Sequence, residues 1–188
     1  MSREPNVRVR PATRQDIPAI VRVSNSSVVE GEDVGFGTRG ESPFAEVERL
    51  AAAWEDPNRV RTGITTRHSI QEWIVEEIFV AEVRGRVVGC VTLEDRGEAL
   101  ELINIDVPRE LQRRGIGSQM VRFVEERAQR DGKRAVTLGT SRNAAGVAWE
   151  SLPWWLSRGY TVTGEEENEW TRKIDPGARE IRMRKDLL

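Results

Sequence analysis

The stretch that decides the reading is Leu102-Ile103-Asn104-Ile105-Asp106-Val107, followed by Pro108-Arg109-Glu110-Leu111 and then Gln112-Arg113-Arg114-Gly115-Ile116-Gly117-Ser118. Apolar and β-branched residues stop at Val107-Pro108, so a strand ends there. After a short polar arm, two glycines open a segment in which Ile116, Met120, Val121, Phe123, Val124 and Ala128 recur at helical spacing, which predicts an amphipathic helix over 116–130. The first N–H groups of such a helix have no intrahelical partner, and its dipole is positive at that end. Glycine lets the backbone approach an anion with no Cβ in the way, and Arg113 and Arg114 add charge beside it. Taken alone, these residues describe a plain strand-to-helix turn with a solvated arginine pair equally well.

Working outward, Ile78–Val83 reads as a strand, Arg84-Gly85 as a tight turn and Arg86–Leu93 as the returning strand of a hairpin, with 98–107 as the next strand. Downstream, Asp131-Gly132 ends the helix, Ala135–Leu138 is a strand, and Asn143–Arg158 reads as a second helix bent near Pro153. Tyr160–Thr163 and Glu180–Met183 are the final strands. Upstream, Val7–Arg10 alternates like a strand, and Thr13-Arg14-Gln15-Asp16 has the form of a capping box ahead of Ile17, Ile20, Val21 and Val23. Residues 25–40 read as a loop, Ser42-Pro43 starts a helix running to Trp54, and a short helix begins at Ser69 and carries Ile70, Trp73 and Ile74. The order implies a mixed α/β sheet with an antiparallel first half, flanked by helices, in a single domain over 7–188.

Composition narrows the function. With 188 residues, 38% hydrophobic and 32% charged, the chain reads as a soluble globular domain. A net charge of −2 argues against a nucleic-acid partner. No apolar run approaches membrane-spanning length and no signal-peptide pattern opens the chain, so a cytoplasmic location with no membrane partner is expected. Cys90 is the only cysteine and His68 the only histidine. That leaves no internal disulfide, no His/Cys metal site and no support for a Ser-His-Asp triad. Cys90 lies inside an apolar strand and reads as a packed core residue.

Two competing phosphate motifs fail. Gly35-Phe36-Gly37-Thr38-Arg39-Gly40 is a literal G-x-G-x-x-G, but it follows a polar loop rather than a strand. No G-K-[ST] tripeptide occurs, so a Walker A loop is absent.

With that context, Gln112-x-x-Gly115-x-Gly117 between a strand and an amphipathic helix resembles the Q/R-x-x-G-x-G/A loop of the GNAT superfamily of acetyl-CoA-dependent N-acetyltransferases. The strand order, the position of Asn143 and Gly159-Tyr160 agree with it; 25–76 corresponds to that family's variable substrate-side region. The resemblance implies a sheet splayed in the middle. Backbone amides of Arg113, Arg114, Gly115, Ile116, Gly117 and Ser118, following Gln112, would hold the pyrophosphate of acetyl-CoA. Main-chain groups of Ile105 and Val107 would pair with the pantetheine arm, and Asn143 would contact it. Glu101 matches the position of a general base in one branch of the family, on a face shared with Ile103, Ile105 and Val107, where apolar neighbours would raise its pKa. Asn104 and Asp106 are alternatives. Where many members place a tyrosine that protonates the departing thiolate, this chain has Trp155. The resemblance thus implies acetyl transfer to an amine on a small molecule or peptide, with no metal and a possible homodimer. A catalytically weak or inactive acyl-CoA-binding regulatory module is the alternative that Trp155 motivates.

Overall fold

In a computed structural model, the described residues are 5–26, 51, 54–55, 63–68, 73–168, 171–172 and 176–187. Eight strands form one mixed sheet: β1 (Arg8–Pro11), β2 (Gly63–His68), β3 (Trp73–Val83), β4 (Arg86–Arg96), β5 (Ala99–Asp106), β6 (Ala135–Arg142), β7 (Thr161–Glu166) and β8 (Arg179–Asp186). Their spatial order is β1-β3-β4-β5-β6-β8-β7, and β2 pairs with the first half of β3. Helices α1 (Ile17–Ser26), α2 (Ile116–Arg130) and α3 (Ser151–Ser157) flank it. The expected mixed α/β architecture, antiparallel through its first half, is what forms.

Local chemistry explains the joints. The β3–β4 hairpin turns on Arg84 and Gly85, both at positive φ (50° and 76°), the two-residue geometry whose twist matches the flanking strands. Thr13 and Asp16 form the capping box that starts the path into α1. Helix α2 ends in a Schellman-type turn: Lys133 N donates to Ala128 O at 2.8 Å and Gly132, at φ 71°, donates to Gln129 O at 3.1 Å.

Each face of the sheet has its own core. On one, Val121, Val124 and Ala128 of α2 pack with Val91, Leu93, Leu100, Leu102, Val136, Leu138, Trp155, Tyr160, Ile181 and Met183. On the other, Ile17, Ile20 and Val23 of α1 pack with Ile78, Val80 and Cys90. A fully buried side chain such as Val124 contributes roughly 1.5–3 kcal/mol. Gly89 sets the closeness of α2 to β4, since a Cβ there would meet Met120 Cε and Sδ at 3.0 Å and Asp106 O at 3.1 Å. That approach brings the start of α2 to the end of β5.

The sheet opens beside β5. Parallel pairing with β6 covers only Ala99–Leu102 against Ala135–Leu138, while β6 stays paired with β8 through Arg142. The break coincides with a bulge: Thr92 opposes Asn104, Leu93 opposes Leu102, and Ile103 is the extra residue.

Two expectations change. Trp73 and Ile74 belong to β3, paired with His68 and Arg67 of β2, because sheet pairing outweighs a short helical pattern. Ser69 and Ile70 lie outside the described residues, as do Ser42-Pro43 and Gly35–Gly40. Asn143 does not start a helix: α3 covers only Ser151–Ser157. Instead Gly146, at φ 83°, and the Asn143 side chain close a turn, and Ala148 bridges back to Arg142.

Candidate active site

Beyond β5 the chain makes a 3-10 turn at Arg109–Leu111 and then reverses through left-handed residues. Arg113 has φ 60° and Gly115, the N-cap of α2, has φ 82°. Gln112 braces the reversal: its Nε2 donates to Val107 O at 3.0 Å. A non-glycine residue held left-handed costs on the order of 1 kcal/mol, a local strain that clusters at ligand-binding loops. The first turn of α2 contains no acidic residue, so the amides of Ile116, Gly117 and Ser118 face no capping carboxylate. Gly117 lies against Trp154, at 3.7 Å from where its Cβ would be.

Arg158, just past α3, reaches this corner although it is 40 residues from Ser118. Its guanidinium stacks on Trp154 at 4.2 Å and donates to Ser118 Oγ. Its Nε is buried without an acceptor. Among the described residues, Arg113, Arg114 and Arg158 have no carboxylate partner.

Where β5 leaves β6, its edge from Ile103 to Ile105 has no strand partner on that side among the described residues. Ile105 and Val107 turn their side chains towards Ile116 and Met120 of α2. Their main-chain groups border the opening. Across it, Val147–Trp149 folds back on the end of β6, with Trp149 N donating to Ser141 O at 3.0 Å and Val147 N to Asn143 Oδ1 at 2.9 Å.

The bulge at Ile103 corrects the expected face of Glu101. Leu100 and Leu102 on one side of the bulge, and Ile105 on the other, all meet the α2 core. Glu101 therefore points to the opposite face, and its surroundings are polar rather than apolar. Its carboxylate is 2% exposed as a residue and receives Arg182 Nη2 at 2.8 and 2.9 Å. Thr137 Oγ1 donates to the same carboxylate, and Arg96 Nη1 stands 3.8 Å away. Arg182 Nη1 also reaches Glu180 at 2.9 Å, and Asn168 Nδ2 donates to Glu180 at 2.7 Å. Gly139 makes this chain of contacts possible, since a Cβ there would sit 2.2 Å from Glu180 Oε1. Apart from Arg96, across the β4–β5 hairpin, these partners are distant from Glu101 in sequence, and Thr137 and Arg182 reach it only through the pairing of β5, β6 and β8.

Asn104 and Asp106 lie together, Asn104 Nδ2 donating to Asp106, with Cys90 Sγ 3.8 Å from the same oxygen. Cys90 is fully buried, and burial pushes its thiol well up, as a packed core residue requires. Trp155 is buried and packs edge-on to Tyr160 at 5.2 Å. Tyr160 is itself a core residue: burial raises its pKa, and the Glu125 carboxylate, which accepts its hydroxyl at 3.2 Å, raises it further. Among the described residues no cluster of three or more His, Cys, Asp and Glu offers a metal site.

Known proteins share this construction. The model of the acetyltransferase (GNAT) family matches residues 47–150. A tRNA(Met) cytidine acetyltransferase, TmcA, from Aeropyrum pernix is 33% identical over 87 residues, which are 41% of this chain and 11% of that protein. The chain thus spans only about a tenth of the length of that curated relative. Among solved structures, the PaiA N-acetyltransferase of Thermoplasma acidophilum in complex with coenzyme A superposes with a TM-score of 0.64 at 13% identity, covering 97% of this chain and 99% of that one. An IAA acetyltransferase from Bacillus cereus superposes with a TM-score of 0.58 at 19% identity, covering 97% and 100%. The structural likenesses establish the fold, and the family model spans the opened strand, the left-handed loop and the start of α2 together. The chain belongs to the acetyltransferase (GNAT) family.

Proposed function

We propose that this chain, as one domain over 7–188, transfers the acetyl group of acetyl-CoA to a primary amine of a small molecule or peptide by direct attack. The observation that carries this reading is a conjunction. Past Leu102, Ile103–Ile105 have no strand beside them on the β6 side among the described residues, and the chain then runs through the 3-10 turn and the left-handed loop into a helix N-terminus with no acidic residue in its first turn. An extended polar arm ending in a pyrophosphate needs those two features in that order.

In this reading, Gln112 holds the loop so that the amides of Arg113, Arg114, Gly115, Ile116, Gly117 and Ser118 bind the pyrophosphate. Main-chain groups of Ile105 and Val107 pair with the pantetheine as an added strand would. Asn143, whose Oδ1 is engaged by Val147 N, offers its side-chain N–H2 to the same arm. The thioester supplies an activated acetyl carbon and a good leaving group. An alkyl ammonium, with a pKa of about 10.4, must lose a proton before its nitrogen attacks. Glu101, held by Arg182 and Thr137, is the residue we assign to take that proton, directly or through water. A main-chain N–H at the end of β5 supports the charge that grows on the acetyl oxygen. The C–N bond forms, the attacking nitrogen releases its second proton to solvent, the C–S bond breaks, and the thiolate collects a proton from solvent, because the buried Trp155 has no acid to offer and Tyr160 serves Glu125. Family membership favours this over a binding-only module.

The test is calorimetric titration with acetyl-CoA and, as a control, NADH, followed by a coupled thiol-release screen over diverse amines. Absence of acetyl-CoA binding at high micromolar concentration sinks the reading. Binding without turnover on any amine reduces it to a carrier module.

A further inference from the structure

We infer that Arg158, together with Ser118 and against the Trp154 ring, forms an anion subsite beside the start of α2 that takes a phosphate of the CoA nucleotide. The inference rests on the cofactor reading above and adds to it a ligand from a distant part of the chain.

Three observations support it. First, the side chain is fixed: its guanidinium lies on the Trp154 ring at 4.2 Å, and Trp154 in turn touches Gly117. Second, its hydrogen-bonding capacity is largely unspent. A guanidinium carries five N–H donors. Among the described residues its one acceptor is the neutral Ser118 Oγ, while its Nε is buried with none. A buried donor in that state is costly unless something completes it. Third, the charge stands where the fold alone disfavours it. The positive end of the helix dipole repels a cation, no acidic residue lies in the first turn of α2, and Arg113 and Arg114 are on the loop just before it. Trp154 and Ser118 thus hold a cation at a helix end that a phosphate would neutralise. The planar fork of Arg158 suits phosphate oxygens, and the Ser118 hydroxyl can turn to donate to the same group.

CoA offers such a phosphate in its pyrophosphate and in the 3′-phosphate of its ribose. Calorimetric titration of the full chain with CoA, dephospho-CoA and S-acetylpantetheine, for the parent protein and for Arg158→Ala, separates them. Arg158→Ala is expected to weaken CoA at least tenfold, the usual scale for losing a charge-assisted hydrogen bond. An equal loss with dephospho-CoA assigns Arg158 to the pyrophosphate; a loss confined to CoA assigns it to the 3′-phosphate. Either result supports the subsite. Unchanged CoA affinity overturns it. So does an equal loss with S-acetylpantetheine, which has no phosphate, because Arg158 would then only support the loop. If Arg158→Ala fails to fold by melting temperature, Arg158→Lys keeps the charge without the fork; full parental affinity for CoA in that variant rejects the fork, and a several-fold loss supports it. A parent protein that binds none of the three overturns the cofactor reading itself, whereas parental binding with an indifferent Arg158→Ala overturns this inference alone.

Discussion

The start of α2 and the face of β5 that carries Glu101 are joined by one short segment, yet they treat charge in opposite ways. On the Glu101 face a run of charges is matched within the chain: Glu101 to Arg182, Arg182 to Glu180, Glu180 to Asn168, Arg96 to Glu94. At α2, Arg113, Arg114 and Arg158 meet no carboxylate among the described residues, and the helix begins without an acid. The first arrangement stabilises the fold as it stands. The second leaves favourable interactions unmade until an anion arrives. A site built to bind should therefore be the place where removing a charge costs the fold least and the ligand most.

The largest effect tests the matched side. Glu101→Ala strands Arg182 with half its fork, in a place where the glutamate side chain is 3% exposed and the arginine 25%. Removing one partner of such a pair costs about 3 kcal/mol, the lower end of the range because Arg182 keeps some solvent. For a chain of this size that lowers the melting temperature by roughly 6–12 °C. A fall below about 2 °C would mean that the pairing on this face is incidental and the comparison is wrong.

Next in size is a matched pair near the first turn before α1. Arg10 donates to both oxygens of Asp16, at 2.7 and 2.9 Å, and those hydrogen bonds hold the Asp16 carboxyl below its ordinary value of 3.8. A depressed folded-state pKa means that the stabilisation is present above about pH 4 and is lost as the pH falls further, through the folded value. Asp16→Asn is expected to cost about 2 kcal/mol at pH 7, the scale of a charged hydrogen bond, in urea unfolding. Its gap to the parent protein should then shrink below pH 4. A gap that stays constant down to pH 2.5 would remove the carboxylate from the account. No such acid limb is expected from the start of α2, which has no acid to titrate.

How much of this was legible follows from which contacts are local. The helix over 116–130, the capping box at Thr13–Asp16 and the Arg84-Gly85 turn are each written in consecutive residues, and each forms where the sequence puts it. The face of Glu101 is not local. Alternation from Glu101 to Ile105 holds only without a bulge, and Ile103 bulges because of register with β4. Asn143 misleads in the same way. The sequence reads a helix from Asn143 to Arg158, but Gly146 and the Asn143 side chain stabilise a turn first, and α3 begins only at Ser151. Arg158 gave no signal at all, because nothing in a sequence marks an arginine as stacked on its neighbour Trp154 and aimed at Ser118.

A smaller effect probes the loop between the two regions. Gly115 at φ 82° is the N-cap of α2, and Gly115→Ala places a Cβ in the left-handed region at a cost of roughly 1–2 kcal/mol. Measured by urea unfolding, a loss under about 0.5 kcal/mol would show that the turn relaxes to another geometry.

The smallest expected change in stability is the sharpest test of the comparison. Arg114 is exposed, is the last residue before the helix cap and has no carboxylate partner among the described residues. Arg114→Gln should leave stability within about 0.5 kcal/mol of the parent, or raise it slightly by taking a cation from the positive end of α2. Acetyl-CoA affinity should nonetheless fall several-fold at low ionic strength, and the difference should narrow as salt screens the remaining charges. Glu101→Ala and Arg114→Gln then form a crossed pair: one large in melting temperature, the other large in ligand affinity. If Arg114→Gln instead destabilises the free protein as Glu101→Ala does, its charge already has a partner in the fold, and the start of α2 is no more poised for an anion than the face across the sheet.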